Sequence, residues 1–130
     1  MRPRRAVLTE QELEIMKVVW TRDAVTVRDV YQELLTRRKI AYTTVMTMMG
    51  ILEEKGFLTK TAAEKAHLYR PAMPKEQVVG NMVTEFVNRL FNGSAKPLLL
   101  HLVENRQLSP EELEEITAVL KKQNIKAGHA

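Results

Sequence analysis

Four hydroxyl-bearing residues crowd into six positions, Tyr42, Thr43, Thr44 and Thr47. On a helix, positions three and four apart share a face, so Thr43, Thr44 and Thr47 lie together on the first turns. Such a face is polar but uncharged. Its hydroxyls can meet phosphate oxygens or base edges, and a threonine methyl can meet a thymine methyl. Taken singly, Thr43 or Thr44 is as readily a helix cap as a nucleic-acid contact; the set favours DNA. A short distance downstream stand Lys60, Lys65 and Arg70, the side-chain type that grips a phosphate backbone. On their own they would equally suit a solvated hairpin. Their place directly after the hydroxyl-bearing helix favours the functional reading.

Other chemistries lack their residues. The three histidines, His67, His101 and His129, are far apart with no ligand spacing, and the chain has no cysteine, so no metal site is expected. Glu111, Glu112, Glu114 and Glu115 stand at the start of a helix, where acids suit the dipole. The seven methionines fall mostly on helical faces as core filler. No serine, histidine and acid arrangement and no glycine-rich phosphate loop is present. The chain is expected to be no enzyme and to need no cofactor.

The hydroxyl face needs elements to hold it. Thr9 to Glu12 forms a capping box that opens a first helix running to about Thr21, with Leu13, Met16 and Trp20 on one face and Val19 beside it. Ala24 and Val25 are an extended link. Thr26 and Asp29 cap a second helix whose core stripe is Val27, Val30, Tyr31, Leu34 and Leu35. Arg37, Arg38 and Lys39 close it. The third helix buries Val45, Met48, Met49 and Leu52 and stops at Gly56. Phe57–Thr61 and His67–Arg70 read as two strands joined by a turn over residues 62–66. Three helices followed by a hairpin is the winged helix-turn-helix order, with the third helix placed to read a major groove.

Pro71 to Pro74 marks a module boundary. Beyond it a wide apolar stripe includes Val78, Val79, Met82, Val83, Phe86, Val87 and Leu90, and Asn92-Gly93-Ser94 stops that helix and caps the next. Leu98 to Val103 is apolar nearly all round. Ser109-Pro110-Glu111-Glu112 caps a last helix bearing Leu113, Ile116, Thr117 and Leu120, with a frayed tail from Gln123. About 55 residues cannot easily enclose so much apolar surface, so a second copy is the economical cover, ahead of packing on the first module. The expected contacts are Val79, Met82, Val83, Phe86, Leu90, Leu99, Leu102, Leu113, Ile116 and Leu120. The fold is thus read as mainly α: a winged helix-turn-helix over residues 1–73 with a small two-stranded wing, plus a helical dimerisation module over residues 74–130.

The 130 residues are 45% hydrophobic and 28% charged, which suits a folded chain. The formal charge is +4, and it is uneven: residues 1–75 hold 14 Lys/Arg against 9 Asp/Glu, and residues 76–130 hold 6 against 7. The excess sits on the module expected to meet a polyanion. No apolar run is long enough for a membrane span, and no signal core follows the basic start, so the chain is expected to be cytoplasmic without membrane insertion.

Several segments resemble the penicillinase-repressor family of the BlaI/MecI type. They are Thr9-x-x-Glu12-x-x-Ile15-Met16-x-x-x-Trp20, Ala41 to Thr47, Leu52 to Gly56, Leu68-Tyr69-Arg70-Pro71 and Phe86 to Leu90 with Phe91-x-Gly93-Ser94. The resemblance runs from about residue 8 to 122. It implies a homodimeric repressor on inverted-repeat operator DNA, controlling β-lactam resistance or related stress genes. It also implies release through a membrane-sensor metalloprotease pathway that cleaves the repressor. The family's asparagine–phenylalanine cleavage bond falls on His101-Leu102, and its usual basic residue near the end of the reading helix falls on Ile51. A small-molecule-responsive winged-helix regulator and a helical protein-interaction adaptor are the competing readings.

Overall fold

The computed structural model describes the backbone of residues 7–127 and the side chains of residues 7–123. The basic start, Met1 to Arg5, and His129 lie outside the described residues. The elements are α1 (Glu10–Arg22), α2 (Val27–Leu35), α3 (Tyr42–Lys55), β1 (Leu58–Ala62), β2 (His67–Pro71), α4 (Lys75–Phe91), α5 (Lys96–Glu104) and α6 (Pro110–Ala127). No described helix is long and apolar enough to cross a membrane.

The helix starts follow the expected side-chain chemistry. The Glu12 amide donates to Thr9 Oγ1 at 3.1 Å, and the Thr9 amide donates back to Glu12 Oε1 at 2.9 Å. Thr26 and Asp29 repeat the exchange for α2, and Ser109 and Glu112 for α6. Each box satisfies two amides that no helical carbonyl can reach. Ser94 does not cap α5. Ala95 holds that position, and Ser94 Oγ accepts only from the Lys96 amide, at 3.4 Å. Pro97, the second helical residue, has no N–H for a capping group to accept. At the other end, α6 continues past Gln123 to Ala127.

A first core is built by α1, α2, α3 and the hairpin. Ile15, Met16 and Val19 from α1 meet Val30 and Leu34 from α2 and Val45, Met49 and Leu52 from α3, all at most 1% exposed. The buried face of α1 is therefore centred on Ile15, Met16 and Val19, while Leu13 and Trp20 pack at its margin. Leu35 departs from the expected stripe and is 43% exposed; it is the last residue of α2, and Leu34 takes the core position beside it.

The chain passes from α3 into the hairpin through Gly56, whose φ of 91° is left-handed. The Gly56 amide donates to the Glu53 carbonyl and the Phe57 amide to the Leu52 carbonyl at 2.9 Å. This is the paired closure of a Schellman motif, completed by burial of both Leu52 and Phe57. Strands β1 and β2 pair antiparallel, with Lys60 opposite Tyr69 and Thr59 opposite Arg70. The extended link expected at Val25 adds to them: Val25 and Tyr69 exchange both backbone hydrogen bonds, at 3.0 and 2.8 Å.

The chain divides into two compact units after Met82, inside α4. The first turns of α4 belong to the first unit, where Val78 is 2% exposed and Met82 packs against the core. Trp20 Nε1 donates to the Met73 carbonyl at 3.0 Å, tying the link before α4 to α1. In the second unit α5 has no buried residue, and Phe86 and Phe91 meet edge to face at 6.0 Å.

Gly56→Ala places a Cβ in the left-handed region, where L-residues are destabilised by about 1–2 kcal/mol. Urea unfolding is expected to show a loss of that size, with unchanged slope; an unchanged midpoint would contradict it.

Candidate nucleic-acid interface

α3 has two faces of opposite character. Val45, Met49 and Leu52 are completely buried, while Tyr42, Thr43, Thr44, Met46, Thr47 and Ile51 are exposed. The four hydroxyl residues singled out from sequence thus share the outward side of this helix, clear of the core.

Contacts at both ends fix α3. At the start, the Tyr42 ring meets Tyr31 of α2 edge to face, with centroids 5.3 Å apart, and the Arg28 guanidinium lies 5.8 Å over the Tyr42 ring. At the end, Lys55 Nζ lies 2.9 Å from Glu12 Oε1 and also donates to the Val7 carbonyl. Glu12 is only 5% exposed, so the same carboxylate that completes the α1 capping box also anchors the last turn of α3. Away from α3, Arg38 lies 2.8 Å from Glu14 and holds the turn after α2 to α1. The hydrogen bond to Glu14 raises the Arg38 pKa further, leaving the guanidinium charged throughout the usual range.

Ala41, the residue before α3, offers no side-chain cap. The Thr44 amide turns back to the Ala41 carbonyl at 3.1 Å, which leaves the Tyr42 and Thr43 amides without an acceptor among the described residues. An anion is the natural outside acceptor for such amides.

The wing cations are all exposed. Directly opposed residues share a sheet face and successive residues alternate. Lys60, opposite Tyr69, therefore lies on one face of the hairpin, and Arg70, opposite Thr59, on the other. Lys65 sits in the connecting turn, which the Ala63 amide closes onto the Ala66 carbonyl. None of the three is in an ion pair among the described residues.

Two cations near the hydroxyl face escaped the sequence reading. Arg28 lies off the α2 core stripe and is recognisable only from the Tyr42 ring beneath it. Lys39 reads as one of three cations closing α2. In the structure Arg37 pairs with Glu33 and Arg38 with Glu14, leaving Lys39 without an ion pair among the described residues just before α3.

The helices α4, α5 and α6 present a different surface. Of the residues expected to meet a second copy, Val79, Val83, Phe86, Leu90, Leu99, Ile116 and Leu120 are exposed. Leu102 and Leu113 are half-buried, and so is Met82, which packs on the first core. A cleft of about 540 Å³ is lined by Phe86, Phe91, Pro97, Leu98, Leu100, His101 and Glu104. His101 and Leu102 lie within α5; the histidine is exposed, and Asn105 Nδ2 lies 3.3 Å from its ring. No group of three potential metal ligands occurs among the described residues.

Comparison with known proteins points one way. Residues 8–122 match the family described as penicillinase repressor. The chain is 30% identical over 113 residues to the penicillinase repressor of Bacillus licheniformis, covering 87% of this chain and 88% of that one. It is 32% identical over 124 residues to the transcriptional regulator BlaI of Mycobacterium tuberculosis, covering 94% and 87%. Its structure is similar to that of the DNA-binding domain of the repressor BlaI, with TM-score 0.51 and 27% identity over 58% of this chain and 90% of that domain.

Lys55→Met removes the partner of a buried carboxylate while keeping the side chain's length. Because Lys55 itself is partly exposed, the expected loss of stability is about 1–2 kcal/mol, below that of a fully buried pair. Thermal or urea unfolding measures it; full stability in the variant would show that the pair does not anchor α3.

Proposed function

The chain belongs to the penicillinase repressor family, and from that premise we propose that it represses transcription by binding operator DNA as a homodimer. The observation that carries this reading is the free outward face of α3, set on a winged helix-turn-helix whose wing cations have no ion pair among the described residues. α3 enters the major groove. Tyr42, Thr43, Thr44 and Thr47 meet the DNA there, and the uncapped amides of Tyr42 and Thr43 suit a phosphate oxygen. Lys60, Lys65 and Arg70 meet the backbone, with Arg28 and Lys39 as further phosphate contacts near the helix start.

The functional division assigns DNA binding to residues 1–73 and dimerisation to residues 74–130. The exposed apolar residues of α4, α5 and α6 suit a second copy of this chain. Two protomers then favour an inverted repeat whose half-sites are spaced by about one or two turns of ~10 bp. The names of the relatives suggest β-lactam resistance genes as targets. Cleavage at His101-Leu102 by a sensor-linked metalloprotease would remove α6 with Leu113, Ile116 and Leu120, and so weaken the dimer. The bond lies within a helix, so the protease acts when α5 opens locally.

Thr47→Ala is expected to weaken binding to the operator by about 1–3 kcal/mol with little effect on random duplex. Lys60→Ala is expected to weaken both alike and to lower the salt slope by about 1. Mobility shifts across a salt series separate the two; equal losses on both DNAs for Thr47→Ala would remove it from base reading. On a duplex carrying the inverted repeat, sedimentation is expected to find two protomers bound. Full affinity of a single protomer for one half-site would contradict the dimer.

A further inference from the structure

We propose that α3 selects thymine through its C5-methyl groups, with Met46 and Ile51 as the residues that select it. This inference rests on the DNA-binding reading and specifies its chemistry. At 100° per residue, Thr43, Thr47, Gly50 and Glu54 fall along one line on the outward side of α3, and Met46 and Ile51 flank that line. The two flanking side chains are 46% and 38% exposed, and the core beneath α3 uses neither. A Cβ added at Gly50, between them, would meet nothing within 4 Å. The protein's own packing therefore does not require that gap, and it leaves room for an outside surface to approach.

The charges decide which base edge fits this face. Guanine offers two acceptors in the major groove, and its usual partner is a bidentate arginine or lysine. The only cation on α3 is Lys55, whose ammonium is held 2.9 Å from Glu12. Arg28 lies over the Tyr42 ring instead. Glu54, the one ionic group on the outward line, can accept from a cytosine amine but not donate to guanine, and it stands in the last turn, beyond Met46 and Ile51. What remains is threonine hydroxyl, threonine methyl and two larger apolar side chains. Of the four bases, only thymine presents a methyl group in the major groove. Thymine methyls against Met46 and Ile51 would remove from water apolar surface on both partners.

The test uses the full chain. Binding sites are first selected from a random, unmethylated duplex pool, so that 5-methylcytosine is no source of the methyl. Each thymine of the selected duplex is then replaced in turn by deoxyuridine, which removes the C5-methyl alone. At one or two thymines per half-site, the change is expected to weaken binding about fourfold, the equivalent of one buried methyl group. That sensitivity is expected to vanish in Met46→Ala or Ile51→Ala, whose exposed positions leave the melting temperature unchanged. Deoxyuridine without effect at every position would overturn the proposal while leaving DNA binding intact. So would a selected site whose affinity depends instead on guanine N7, read by 7-deazaguanine. A pool that yields no enriched sequence would overturn the DNA-binding reading and this inference with it.

Discussion

The complete burial of one face of α3 is the constraint on which the rest of the first unit depends. Val45, Met49 and Leu52 have no exposed surface, and each fully buried side chain of this size contributes about 1.5–3 kcal/mol. That anchorage is strong enough to leave the opposite face without any packing role. α1 and α2 complete the same core, and the hairpin closes it through Phe57, Leu58 and Tyr69. A helix held from one side only, and pinned at both ends by Tyr31 and Glu12, can present uncharged side chains outward without losing its orientation.

Much of this was legible in the sequence because it is local. Capping boxes occupy four consecutive positions, and the Thr9, Thr26 and Ser109 boxes all form as read. The α3 stripe and the Gly56 stop are likewise properties of one segment. Long-range features were not legible. Nothing in the spacing of Lys55 and Glu12 announces that they meet, and the stacking of Arg28 on Tyr42 depends on how two helices cross. Leu35 fits its stripe by period yet lies exposed, because periodicity does not say where the covering helix ends. At α5 the N-cap falls one residue later than the sequence suggests, on Ala95 rather than Ser94.

The boundary between units shows the same limit. Pro71 to Pro74 is a sound punctuation mark in sequence, but packing continues past it. Val78 and Met82 extend the first core into α4, and Trp20 holds the Met73 carbonyl. A fragment cut at Pro74 would lack the buried Val78. One that reaches Met82 keeps the whole first core. Backbone punctuation and side-chain burial thus divide the chain at different places, about two helical turns apart.

The hairpin register has a consequence for how copies of the chain meet. Among the described residues β1 pairs only with β2, while Val25 bonds to the far side of β2. The outer edge of β1 is therefore an open strand edge, the kind of surface on which another strand can add. It is five residues long, and its sequence Leu58-Thr59-Lys60-Thr61-Ala62 carries a lysine at its centre. Short length and central charge are the features by which natural edge strands resist pairing with one another. Lys60 thereby guards an edge as well as offering a charge, and strand addition between wings is disfavoured as a route to self-association.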